Sequence, residues 1–230
     1  MIPAVDLLGD DAVRLEQGDF GRVAARAQPL ELVRRYAEAG ARLIHLVDLD
    51  GARGGRIRPD VVRSLVEAAA PAEVQASGGV RSPADAERLL ATGASRVVVG
   101  TAALAGPAAL EGFVAALGER LVVAIDVRGR QVAVRGWLDD TGLEAAAMAR
   151  KCAEAGVKRL LCTAIDRDGM LTGPDLELLR EVREASGLPV LAAGGISSEA
   201  DVAEVAASGC EGAVVGRALL DGSLPLSGVG

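Results

Sequence analysis

Two short apolar runs in this chain end alike: Ala4-Val5-Asp6-Leu7 near the start and Ala124-Ile125-Asp126-Val127 in the middle. Carboxylates facing each other across a narrow mouth can be driven to different proton affinities, giving one acid and one base. A lone aspartate at a strand end can equally cap a backbone N–H or meet an arginine, but the symmetry of the pair favours catalysis. Around them stand two matched sets of glycine turns. Gly78-Gly79 and Gly100-Thr101 are answered by Gly194-Gly195 and Gly216-Arg217. Glycine lets backbone approach a phosphate closely, and the helix start that follows presents N–H groups to it. One such turn alone would be read as tight chain reversal. Two equivalent sets imply a small-molecule substrate carrying two phosphates.

Other chemistries lose support. There is no Ser-His-Asp arrangement, no metal-ligand cluster and no nucleotide P-loop, so no metal and no cofactor is expected. His45, the only histidine, lies inside an apolar run and reads as a satisfied core residue rather than a base. Trp137 follows Arg135-Gly136 in a polar stretch ending in Asp139-Asp140-Thr141-Gly142. An indole there suits a flat lid over a planar ring, or a loop anchor packed on a rim.

These residues need a frame. Eight apolar runs read as strands: Ile2 to Leu8, Leu43 to Leu49, Glu73 to Ser77, Arg96 to Gly100, Leu121 to Val127, Arg159 to Ile165, Pro189 to Ala193 and Gly212 to Gly216. Helix-like stretches lie between them, such as Pro29 to Ala39, Pro59 to Ala70, Pro83 to Thr92, Leu143 to Ala155, Leu176 to Ser186 and Glu199 to Ser208. Several start at proline and end at glycine, as at Gly40, Gly93, Gly156, Gly187 and Gly209. Strict alternation implies parallel strands with right-handed crossovers, and eight close an α/β barrel, the (β/α)8 or TIM barrel. An internal repeat excludes the rival open sheet. Ser77-Gly78-Gly79-Val80-Arg81-Ser82-Pro83-Ala84-Asp85 is echoed by Ala193-Gly194-Gly195-Ile196-Ser197-Ser198-Glu199-Ala200-Asp201, and Val47-Asp48-Leu49-Asp50-Gly51 by Ile165-Asp166-Arg167-Asp168-Gly169. The chain is expected to be one domain, residues 1–230, of two half-barrels, about 1–118 and 119–230.

Composition agrees. Aromatics are 2% of the 230 residues, so the core must be built from Val, Leu, Ile and Ala. A formal charge of −7 without a long basic run argues against a nucleic-acid or anionic-membrane surface. Three cysteines without metal spacing read as reduced thiols, and the chain opens directly on a strand, so a cytoplasmic protein is expected; no helix shows an obvious surplus apolar face, so a monomer is expected.

Ile2-Pro3-Ala4-Val5-Asp6-Leu7, Val13-Arg14-Leu15 with Gln17-Gly18-Asp19, Ile44 to Ala52, Gly78-Gly79-Val80-Arg81, Gly136-Trp137, Asp168-Gly169 and Ala193 to Ser198 together resemble the phosphoribosylformimino-AICAR-phosphate isomerases of histidine biosynthesis. The resemblance runs from Ile2 to about Leu224. It implies an Amadori rearrangement of a bisphosphorylated aminoaldose, with Asp6 the base and Asp126 the acid. It also implies Arg14, Thr163 and Asp168 around the reacting sugar, with Asp168 sharing the proton work, and phosphate clamps completed by Arg81 and Thr101 in one half and by Ser197 and Arg217 in the other. The sister cyclase carries lysine where this chain has Arg14. Ala164 departs from the family's usual acidic residue there, and the residues after Leu224 are too few and glycine-rich for the expected last helix. Ser77 and Arg135 resemble the variant that also isomerises phosphoribosylanthranilate for tryptophan synthesis. There Arg135 would recruit the anthranilate carboxylate, or else stand as a solvated loop arginine.

Overall fold

The computed structural model describes residues 1–16 and 19–228 of the chain. Gln17 and Gly18 of the quoted motif lie outside the described residues. Along the chain run β1 (Ile2–Leu8), β2 (Asp11–Glu16), β3 (Asp19–Ala27), α1 (Pro29–Glu38), β4 (Leu43–Asp48), α2 (Leu49–Gly54), α3 (Pro59–Ala69), β5 (Glu73–Ser77), α4 (Pro83–Leu90), β6 (Arg96–Val99) and α5 (Pro107–Leu117). Then follow β7 (Leu121–Arg128), β8 (Gln131–Val134), β9 (Asp139–Glu144), α6 (Ala145–Glu154), β10 (Leu160–Ala164), α7 (Leu176–Ser186), β11 (Val190–Ala193), α8 (Glu199–Ala207), β12 (Gly212–Val215) and α9 (Arg217–Leu220).

The eight expected strands pair in parallel in the order β1, β4, β5, β6, β7, β10, β11, β12, and β12 pairs with β1 to close the barrel. Period-two alternation sends Ile44, Leu46, Val74 and Ala76 outward to the helices. The barrel interior is filled by Ile2, Val98, Val122, Ala124, Leu161, Leu191 and Val214. His45 and Gln75 point in with them, and the Gln75 amide nitrogen lies 3.0 Å from His45 Nδ1. Burial pushes the His45 imidazole down to about 4, so it is neutral and accepts that hydrogen bond. His45 is a core residue, as expected.

Helices start on schedule, with proline in the first turn of α1, α3, α4 and α5. Two departures matter for the site. The polar run Asp139-Asp140-Thr141-Gly142, expected as loop, is most of β9, and α6 therefore begins at Ala145. Two antiparallel hairpins, β1–β2–β3 and β7–β8–β9, rise from the carboxyl ends of equivalent strands. After α9, Leu224 is buried and its N–H bonds the Ala218 carbonyl at 2.8 Å. Among the described residues no helix is long and apolar enough to cross a membrane.

Candidate active site

Asp6 and Asp126 sit at matching heights on β1 and β7, which are themselves equivalent: each pairs in parallel with the next barrel strand and antiparallel with its own hairpin partner. Both face the interior by alternation, because Val5, Val127 and Ile125 belong to the outer core. Arg14 on β2 reaches between the halves. Its Nη1 bonds Asp6 Oδ2 at 2.7 Å, and its Nη2 bonds Asp168 Oδ1, just beyond β10. All three side chains are 12–14% exposed. Arg14 Nε is buried with no partner among the described residues.

Asp126 has different company. Trp137 and Thr163 stand by its carboxylate and favour its ionised form, and among the described residues no arginine pairs with it. Asp6 and Asp168 therefore share one guanidinium, in which Asp126 has no part. Burial raises the proton affinity of Asp6, and the Arg14 charge and hydrogen bond oppose it. Asp168 is raised for the same reason, again against Arg14 and with the Asp6 charge adding to the rise. Asp126 is raised by burial, opposed only by its two hydrogen bonds, and the Asp168 charge pushes it further up. Arg14 is fixed as a cation, since Asp168 and Asp6 outweigh the burial that works against its charge. The carboxylate without a cation is the one that most readily keeps a proton at neutral pH.

The double-glycine turns follow β5 and β11 at the carboxyl ends of equivalent strands, and they are packed closely against protein. At Gly78 (φ 103°) a Cβ would lie 2.1 Å from the Asp48 carbonyl oxygen, and at Gly194 (φ 96°) 2.5 Å from that of Ala164. Gly79 and Gly195 are pressed the same way, on Arg56 and on Gly173. The loop after each preceding strand passes directly over the turn, and only glycine lets it. At Gly216 a Cβ would stand 3.1 Å from Arg14 Nη1, so the guanidinium would have to give by a few tenths of an ångström, whereas Gly100 has only ordinary contact, at 3.8 Å. In the second half Gly194, Gly195, Gly216 and Arg217 meet Arg14 and Asp168 around one small recess. Arg217 Nη1 there donates to the Gly169 carbonyl.

Other members of the expected clamps already hold protein partners. The Ser197 hydroxyl donates to Asp201 at 2.9 Å, within the cap of α8. Thr101 Oγ1 accepts from the Arg135 N–H at 2.8 Å, and Arg81 is exposed with its guanidinium over Gly55. The Arg135 side chain, 69% exposed, pairs with Asp139 at 2.8 Å. Trp137, with its backbone at φ 71°, has its carbonyl held by Arg128 at 2.9 Å.

Strand register corrects one part of the repeat. Asp6 pairs with Val47 and Asp126 with Thr163, so Asp48 corresponds to Ala164, and Asp50 to Asp166. The sequence echo of Val47 to Gly51 in Ile165 to Gly169 is two residues out of step. Asp48, almost fully buried, bonds Arg58 Nε at 2.8 Å and the Gly51 N–H at 2.9 Å. Arg58 is the N-cap of α3, and the N-cap of α7 is Asp175. Both members of this ion pair are therefore replaced together, and Ala164 leaves no buried charge unpaired. Sequence reasoning missed Asp50 and Asp166, whose signal was the short glycine-led turns Gly9-Asp10 and Gly129-Arg130 between apolar runs.

The family pattern described as "Histidine biosynthesis protein" matches residues 1–225. The chain belongs to that family. Among similar members, a Sorangium cellulosum protein is 44% identical over 232 residues, covering 99% of this chain and 96% of the relative. An Anaeromyxobacter protein is 41% identical over 229 residues (99% and 96%), and one from a Synechococcus strain 41% identical over 230 residues (98% and 90%). All three are named 1-(5-phosphoribosyl)-5-((5-phosphoribosylamino)methylideneamino) imidazole-4-carboxamide isomerase. The match to this family spans both hairpins and both carboxylate-bearing strands.

Proposed function

We propose that this member of the histidine biosynthesis family isomerises the bisphosphorylated aminoaldose named by its relatives to the corresponding aminoketose. The observation that carries the reading is unequal partnering: Asp6 is paired with Arg14, while among the described residues Asp126 has no cation against it. Asp126 enters protonated and gives its proton to the ring oxygen as the C1–O bond breaks and the amine lone pair forms the C=N bond. Asp6, kept ionised by Arg14, then takes the proton from C2. The electron pair moves to nitrogen, giving an enolamine that tautomerises to the ketose. The substrate amine is the electron sink, so side chains alone suffice. Thr163 orients Asp126, and Asp168 with Arg14 borders the reacting sugar.

Gly78, Gly79, Gly100, Thr101 and Arg81 would receive one phosphate, and Gly194, Gly195, Ser197, Gly216 and Arg217 the other. Ser197 and Thr101 would exchange their present partners for the ligand. The chain is taken as a single domain of two half-barrels, residues 1–118 and 119–230, acting as a cytoplasmic monomer. The Arg135–Asp139 pair favours one substrate over two. Parallel steady-state assays with the histidine-pathway and tryptophan-pathway aminoaldoses test this. Turnover of the first alone is expected, and no turnover of it by well-folded protein would overturn the proposal.

A further inference from the structure

Each half of the barrel carries a hairpin on its first strand, and the two turns are built alike. Gly9-Asp10 joins β1 to β2 and Gly129-Arg130 joins β7 to β8, with φ of 61° at Gly9 and 59° at Gly129. In both, the glycine N–H is captured by an aspartate just beyond the neighbouring barrel strand. Gly9 donates to Asp50 at 2.7 Å and Gly129 to Asp166 at 2.8 Å. Strand register makes these aspartates equivalent. A second tie joins each turn to the next helix, with the charges reversed. Arg58 at the start of α3 donates to the Gly9 carbonyl and faces the Asp10 charge, whereas Arg130 of the other turn donates to Asp175 at the start of α7, at 3.0 Å.

Neither Asp50 nor Asp166 belongs to the cluster of acids around Arg14. What the tied hairpins carry does: Arg14 lies on β2, and Trp137 lies between β8 and β9. We propose that Asp166 is a positioning residue for the isomerisation, latching the Gly129 turn so that the β7–β8–β9 arm holds Trp137 beside Asp126, as Asp50 latches the arm bearing Arg14. The proposal rests on Asp126 being the acid. A short antiparallel arm is marginal by itself, so its pose is set by its ties. These are Asp166 and Arg130 at the root, and Thr101 and Arg128 near Trp137. Without the root latch the seated pose loses population.

Trp137 is the only tryptophan in the chain, so its emission reports the pose directly. The experiment compares the full chain with Asp166→Ala and Asp166→Asn by tryptophan emission, acrylamide quenching and kcat/KM across pH. In Asp166→Ala the emission should shift to the red, quenching should at least double, and kcat should fall roughly three- to tenfold, the scale of one exposed hydrogen bond. Its alkaline limb should move to higher pH, because the indole donation that favours ionised Asp126 is lost while Thr163, Asp168 and the nearby Cys162 stay in place. Asp166→Asn keeps an acceptor oxygen and should stay within about twofold of the parent. Emission, quenching and pH profile all unchanged in Asp166→Ala, with or without a lower Tm, would overturn the latch. If Asp166→Ala does not fold, Asp166→Ser, whose hydroxyl is too short to reach, serves the same arm. Emission and quenching need no substrate, so they judge the latch even if the assigned reaction fails.

Discussion

Replacing Asp126 by Asn should stabilise the protein while disabling it, and the gain should depend on pH in a defined direction. The Asn oxygen can still accept from Trp137 and Thr163. Exchanging charge-assisted hydrogen bonds for neutral ones costs about 1 kcal/mol, whereas burying a carboxylate without a cation costs several. Where Asp126 is ionised the net gain is about 1–2 kcal/mol, or roughly 2–8 °C in Tm for a domain of this size. The raised folded-state affinity of Asp126 means that its contribution is fully present below the unfolded value, about 3.9, and is lost as pH rises through the folded value. Near pH 4 both proteins carry a neutral group there, so their Tm values should converge. Above the folded value only the wild type bears the buried charge, and the curves should separate. Loss of the acid should also lower kcat by about a hundredfold or more. The assay is thermal unfolding of both proteins from pH 4 to pH 9, with turnover in parallel. A variant less stable than the wild type at pH 8, or a Tm difference constant across the range, would refute the reasoning.

Asp6→Asn should keep the fold and cut turnover about a hundredfold or more in steady-state assays, as expected for a lost base. Arg14→Met should move the acid limb of kcat/KM to higher pH, because burial then acts on Asp6 and Asp168 unopposed; an unmoved limb would remove Arg14 from control of the base. Arg135→Ala should leave histidine-pathway turnover within about twofold, since its ion pair is exposed, and a selective loss on the tryptophan-pathway substrate would restore the dual reading. Crystals grown in phosphate or sulfate should hold two anions, one at Gly79 and Thr101 and one at Gly195 and Arg217; a single anion would count against a bisphosphate substrate.

The barrel was legible because its strands are buried on both faces and read as unbroken apolar runs, from Ile2–Leu8 to Gly212–Val215. The hairpin arms were not. Asp139 to Gly142 carries no apolar alternation, since β9 pairs only with β8 at the barrel rim. The repeat disclosed Asp6 with Asp126 and the double glycines, yet misaligned the acidic motif. Similar letters two residues apart outweighed a register that only the strand pairing reveals. Asp168 was legible as an acid near a strand end, but its shared guanidinium was not, because Arg14 lies 154 positions away in the chain.

The Arg14 bridge has a meaning beyond proton affinity. The ties at the root of each hairpin turn lie in the same proposed half as the turn: Asp50 and Arg58 serve the first arm, Asp166 and Asp175 the second, while the tip of the second arm also rests on Thr101 of the first. Arg14 instead leaves the first half to grip Asp168 in the second. Each turn is thus tied at its root within one half, whereas the proposed acid–base centre draws on both. If the chain were cut after Gly118, each piece would keep the ties at the root of its hairpin, but Arg135 would lose Thr101 and Asp168 would lose Arg14 until the pieces met again. Activity in this fold is a property of the seam.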